Sequence, residues 1–143
     1  MDRPLLLIFV ILTTIVFGQK NQTIRVGLGS TYNSTMTVEQ ATSKPTFTLC
    51  DINSSDNVKA RIMELTLVIK TNFSTTKFDL KEKITQGENR MEKSVISPPT
   101  LQSNHIDIIK KLKPGDKIIL KDVKIVGIMC PTIIQETIIT ITQ

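Results

Sequence analysis

The sequence predicts an all-β protein, an antiparallel β-sandwich of about seven strands with one short helix. Three observations carry that expectation. Isoleucine and threonine are abundant, and both are β-branched and favour strands. Several segments alternate polar and apolar residues with a period of two. Only one stretch shows apolar residues at helical spacing. The 143 residues are a one-domain length, and 22% charged residues with 40% hydrophobic exclude a disordered tail or a bundle of membrane spans.

The elements follow in chain order. Met1–Pro4 is a short polar start with one arginine, and Leu5–Phe17 is an apolar run broken only by Thr13 and Thr14. The run is short for a bilayer crossing, which takes about twenty residues, and reads as a secretory signal ending at Gly18. Residues 1–18 are therefore expected to be an address, and 19–143 a single domain that keeps the whole net charge of +5. Within it Thr23–Leu28 alternates and suits a half-buried strand. Gly29–Ser34 is turn-rich, and Thr35–Val38 a short strand. Pro45–Cys50 alternates again, with Phe47 and Leu49 on one face. Asp51–Asn57 is a polar loop.

Arg61–Thr71 is the clearest strand. Met63, Leu65, Leu67 and Ile69 share one face, and Glu64, Thr66 and Lys70 the other, with Val68 interrupting the polar side. Phe78 and Leu80 mark a weaker strand, and Gly87 signals a turn within Gln86–Arg90. Val95-Ile96 leads into Pro98-Pro99, which is extended or turning. Leu101, His105, Ile108, Ile109 and Leu112 line one face of a helix that Pro114-Gly115 stops. Lys110, Lys111 and Lys113 sit at its carbonyl end, where cations suit the dipole. Lys117–Val126 and Thr132–Thr142 are two closing strands, the last rich in isoleucine on both faces, as in a strand covered on each side.

Candidate chemistry is sparse. Cys50 and Cys130 are the only cysteines, and in an exported chain they are expected to form one disulfide. Such a bridge closes a long loop and is worth about 4–5 kcal/mol on the chain-entropy estimate. Redox spacing is absent, and zinc lacks enough ligands. His105 is the single imidazole and falls on the apolar helix face, without a nucleophile in a recognisable elbow. Asp51–Asn57 opens like a calcium loop, but Asp56 stands where the sharp turn needs glycine and Ile62 where a bidentate glutamate belongs. A solvated turn is the expectation there. No catalytic residue, cofactor or metal site is assigned, and the chain is expected not to be an enzyme.

Lys110, Lys111, Lys113, Lys117, Lys121 and Lys124 make the later part of the chain basic, with Asp107, Asp116 and Asp122 interleaved. Nucleic acid is not the expected partner, since arginine forks and stacking aromatics are missing there. The remaining readings are a solvated face or an electrostatic docking surface for an acidic partner or anionic membrane. Four Asn-x-Ser/Thr sequons begin at Asn21, Asn33, Asn53 and Asn72, and read as chance in an Asn- and Thr-rich chain.

The segment from Leu101 to Ile125 resembles the C-terminal domain of the GldM family, a component of gliding motility and type IX secretion in Bacteroidota. That domain carries a similar helix, a K-P-G-D-K turn (here Lys113–Lys117) and a strand of the form I-x-x-x-D-I-K-V. Gly29–Val38 and Ile62–Ile69 are similar to its glycine-rich turn and its central strand, so the likeness spans about residues 24–142. The resemblance implies an immunoglobulin-like β-sandwich in the periplasm, one that contacts outer-membrane components of the machine. This chain differs in two ways. It shows no membrane span after its leader, and it has Gly127–Pro131 where the family has a P-D-G-type hairpin.

The expected function is an exported, non-catalytic protein-interaction domain of the cell envelope, in the periplasm or at the surface. Its partner is an envelope protein. The contact is placed on the helix-to-turn face, at Lys110, Lys111, Lys113, Asp116 and Lys117. The alternative is a carbohydrate- or surface-binding module, which needs Tyr32 and Phe73 exposed side by side, since only Phe47 and Phe78 add to them after the leader. A third reading, a small hydrolase, needs a nucleophile in a cleft near His105.

Overall fold

The computed structural model describes residues 21–29, 32–54, 58–87, 93–128 and 132–143. The expected signal at 1–18 lies outside them, as do Cys130 and residues 30–31, 55–57 and 88–92. Ten strands and two helices occur among the described residues. In chain order they are β1 (Gln22–Leu28), β2 (Thr35–Thr37), α1 (Val38–Ser43), β3 (Phe47–Asp51), β4 (Arg61–Lys70) and β5 (Thr75–Lys81). Then come β6 (Lys83–Thr85), β7 (Val95–Ser97), α2 (Ser103–Ile109), β8 (Lys117–Val126), β9 (Thr132–Gln135) and β10 (Thr137–Thr142).

They form a five-stranded sheet, β2-β10-β8-β4-β5, a three-stranded sheet, β3-β1-β9, and a small β6-β7 ladder. The core lies between the first two. Leu65, Leu67 and Ile69 of β4, Ile118 and Leu120 of β8, and Ile139 and Ile141 of β10 meet Ile24, Val26, Leu28 and Leu49 of the facing sheet. Period-two alternation explains this, because it puts every second side chain on one face. The protein is thus an all-β sandwich, as the sequence predicts.

Several details differ from expectation, each for a local reason. The isoleucine-rich end is two strands in two sheets, joined through Glu136, and not one strand buried on both faces. Burial in β10 alternates, with Ile138 exposed and Ile139 buried. Thr137 fixes the crossing point, since its buried hydroxyl donates to the Val26 carbonyl at 2.8 Å and ties one sheet to the other. The sandwich is not purely antiparallel, because β1 runs parallel to β9 and β2 parallel to β10. Both terminal segments cross between the sheets together.

Met63 leaves the core face that its spacing predicts and is 37% exposed, while Ile62 is buried. A bulge there opposes two β4 residues to one on β8, which turns the side chains over. A second irregularity lies opposite, where Asp122 takes a left-handed φ of 51° inside β8. α1 is an element that the sequence reading misses. Its signal is present: Thr37 accepts from the Gln40 amide, and Gln40 Oε1 accepts from the Thr37 amide at 3.0 Å, a reciprocal capping box. The expected helix is shorter than its apolar pattern, but Leu101 and Leu112 beyond its ends are still buried.

Candidate partner-binding site

α2 is fixed at both sheets. The Leu101 amide donates to the Pro45 carbonyl at 2.8 Å, and Thr100 bridges Thr46 ahead of β3. On the other side His105 packs edge-on against Phe78 of β5, with ring centroids 4.6 Å apart. His105 Nδ1 accepts from the Gln102 amide at 3.0 Å and so caps the helix start. The ring is 5% exposed, and burial lowers its pKa below the ordinary histidine value. Among the described residues no carboxylate hydrogen-bonds to the ring, although it lines a cleft together with Ser97, Thr100, Asp79 and Glu82.

This gives a pH prediction. The unfolded chain takes up a proton near pH 6.5 while folded His105 resists it, so stability is full above that pH and falls as pH drops below it. Replacing His105→Gln should flatten that part of a pH series of thermal melts. An unchanged slope would show that the imidazole is not its source.

After Ile109 the chain tightens. Lys111 and Leu112 amides donate three residues back, to Ile108 and Ile109. Lys110 and Lys111 are exposed, whereas Leu112 is buried and anchors the turn that follows. In that turn the Asp116 amide donates to the Lys113 carbonyl at 3.0 Å. Pro114 and Gly115 occupy its corners, and Gly115 takes φ 94°, which a side chain would resist. The turn is latched to β10 from both sides: the Gly115 amide donates to the Ile141 carbonyl, and the Ile141 amide to the Asp116 carbonyl.

Of the five residues expected to make the contact, Lys110, Lys111, Lys113 and Lys117 are exposed. Asp116 is not. It is 8% exposed, and its Oδ2 accepts from the Lys113 amide at 2.8 Å. Its place is inside the turn, where it sets the direction in which the lysines leave. Lys117 opens β8 on the outer face of the five-stranded sheet, directly opposite Lys70 at the end of β4.

That pairing brings in residues that sequence reasoning did not link to the turn. The β4-β5 tip stands at the same end of the sheet. It is held by the Thr71 amide donating to the Ser74 carbonyl at 2.8 Å, and by Thr71 Oγ1 accepting from the Phe73 and Ser74 amides. Phe73 projects from it and is 98% exposed. Lys77 lies on the same outer face, opposite Val68. Farther along that face Glu64 pairs with Lys124 and, at 3.8 Å, with Lys81. The Lys124 ammonium holds the Glu64 carboxyl below the usual carboxylate value.

The aromatic platform that a sugar-binding module needs is not formed. Tyr32 is half-buried, with its hydroxyl donating to the Leu49 carbonyl, and lies just ahead of β2. Phe73 joins β4 to β5, at the opposite edge of the five-stranded sheet. Phe47 and Phe78 pack on the core. The calcium-like loop is a turn where it is described: Asp51 Oδ1 accepts from the Asn53 amide, and Oδ2 from the Gln22 side chain.

Cys50 is a buried free thiol, and its bridge to Cys130, which lies outside the described residues, is not shown. β1 separates β3 from β9, with Cys50 opposite Arg25 and Thr132 opposite Gln22. Two strand spacings and three residues put Cys50 about 14 Å from Thr132, where the described chain resumes after Cys130.

No described helix is long and apolar enough to cross a membrane. The profile of the GldM C-terminal domain matches residues 35–142, from β2 to the last residue of β10. The chain belongs to the GldM C-terminal domain family, which serves gliding motility and type IX secretion. β1 precedes the matched segment, yet it is the central strand of the smaller sheet. No curated protein and no solved structure matches the chain.

Proposed function

We propose that this chain is an exported, non-catalytic protein-interaction domain of the cell envelope, accessory to the gliding and type IX secretion machinery. The observation that carries the reading is the latched turn. Asp116 and Ile141 fix its backbone, and Lys110, Lys111, Lys113 and Lys117 remain exposed around it. Exposed lysines on a rigid turn steer an acidic protein by long-range attraction and fix its register on contact. Family membership supports the envelope setting, and the apolar run Leu5–Phe17 supports export.

The test is site-specific photocrosslinking from position 111 in the protein's own cells. An envelope component of the secretion or gliding machine is the expected adduct. Recovery of only cytosolic proteins, or of nothing from folded chain, would overturn the reading.

Export carries a further expectation for the thiols. In the oxidising compartment Cys50 and Cys130 pair, as the even count suggests. Mass spectrometry of denatured, alkylated chain recovered from the envelope should find neither cysteine modified. Alkylation at both would mean the bridge is not made, in keeping with the free Cys50 of the structure.

A further inference from the structure

We infer that the end of the five-stranded sheet bearing Phe73, Lys70, Lys77, Lys113 and Lys117 docks a protein partner whose surface presents an apolar pocket rimmed by carboxylates. The inference rests on the reading above, that the chain works by binding protein, and deepens it by naming the site and the chemistry of the partner.

Three observations meet at this end. The first is Phe73. Its ring is 98% exposed, yet its backbone is tied down by Thr71 from two sides. A fully exposed aromatic on a hydrogen-bonded tip loses little further freedom on docking, which is the property of an anchor residue.

The second is an arrangement that costs the free chain stability. Lys70 and Lys117 are direct cross-strand partners, and like charges in that position repel. Neither has a carboxylate in ion-pair range among the described residues, and the same holds for Lys77 and Lys113. The carboxylates of this face stand farther along it. Glu64 is taken by Lys124 and Lys81, and Asp79 accepts from the Thr66 hydroxyl. Asp116, the carboxylate of the turn itself, is buried and bonded to the Lys113 amide. The result is a region of uncompensated positive charge around one exposed ring.

The third is topology. Lys70 ends β4 where Lys117 begins β8, so the Thr71–Ser74 tip and the Lys113–Asp116 turn are neighbours although about forty residues separate them in sequence. Behind them on the outer face Val68, Ile119 and Ile138 form a short apolar row across three strands. An apolar centre with a charged rim is the composition of a protein interface.

Charge complementarity selects carboxylates on the partner, and the isolated ring selects a pocket. A lipid surface fits less well. Asn72 and Ser74 flank Phe73, so a single phenyl ring is offered for insertion, far less apolar area than the acyl chain that anchors a protein beside a polybasic patch. Nucleic acid fits poorly too, since among the described residues this end has no arginine and one aromatic.

The experiment is selection of a random displayed-peptide library against the purified chain, followed by affinity measurement with the winning peptides. Peptides rich in Asp and Glu around an apolar residue are expected. Phe73→Ser should weaken them at least about tenfold, and Lys70→Glu and Lys117→Glu should do likewise. Phe73→Ser should leave the thermal midpoint unchanged. Lys70→Glu should raise it, because glutamate then faces Lys117, and this excludes misfolding as the cause of lost binding.

The inference is overturned if no peptide is selected or if the winners carry no acidic enrichment. Indifference of their affinity to Phe73→Ser overturns it as well. Winners that depend on Lys110 and Lys111 alone would move the contact to the helix end and leave the proposed function standing. Phe73-dependent retention on phosphatidylglycerol vesicles, with no peptide selected, would make the occupant a membrane. A selection that succeeds while the photocrosslinking fails would keep this site and remove its assignment to the envelope machine.

Discussion

Replacing Leu67→Ala is expected to remove about 2–5 kcal/mol of folding stability, the usual cost of emptying a well-packed core position. Leu67 is fully buried on β4 and stands in register between Phe78 of β5 and Leu120 of β8. All three lie in rigid strands, so the cavity cannot collapse easily. Against a total of about 5–15 kcal/mol for a domain, the loss is severe. The adjacent Val68→Ala is the contrast. Val68 is also mostly covered, but on the outer face, between Ile119 of β8 and Lys77 of β5, whose flexible stem can close over the space. Its cost should be about 1 kcal/mol or less, near the low end for losing buried methyl groups. Urea denaturation of both variants gives the comparison. Equal losses would mean that the outer face is packed as rigidly as the core.

Replacing Asp116→Ala should cost about 1–3 kcal/mol, the price of leaving the Lys113 amide without its acceptor. The larger consequence is for the site. The turn's lysines leave a backbone that Asp116 and Ile141 hold in place, so the contact should weaken although Asp116 touches no partner. Asp116→Asn retains an acceptor oxygen and should lose less of both. Crosslinking yield from position 111, measured beside a thermal melt, separates the effects. If Asp116→Ala lowers the midpoint but leaves the adduct intact, the contact does not depend on the shape of the turn.

Much of this was legible in the sequence, and the failures have physical causes. Alternation locates β1, β3, β4 and β8, because one buried face imposes a period of two. The helix face was found through Leu101, His105, Ile109 and Leu112, all of which are buried. The turn is written in Pro114-Gly115. The division of the last strand was not legible, because isoleucine stands at both parities: Ile133 and Ile138 are exposed, whereas Ile134 and Ile139 pack inward. Only the structure shows that the inward face changes parity between β9 and β10, which a single continuous strand does not allow. Met63 could not be placed, because a bulge is set by the partner strand.

The site was half legible. Its local part, Lys110 to Lys117, is contiguous and stood out as a charge cluster. Phe73 and Lys70 join it only through the pairing of β4 with β8, which no local pattern contains. Asp116 looked like another exposed charge, and only its bond to the Lys113 amide shows its inward role.

The parallel pairing of both terminal segments bears on the order in which the chain can fold. β1 finds β3 nearby, but its second neighbour is β9, and β2 pairs only with β10, so both ladders wait for the last strands. More than a hundred residues must be closed into a loop before either contact forms, and such closure comes late and slowly. The β4-β5 hairpin can form early, since its strands are adjacent, but the smaller sheet has no second edge until the C-terminal segment arrives. Until the final strands arrive, β1 and β8 each keep one edge unpaired, so residues 132–142 close both sheets at once.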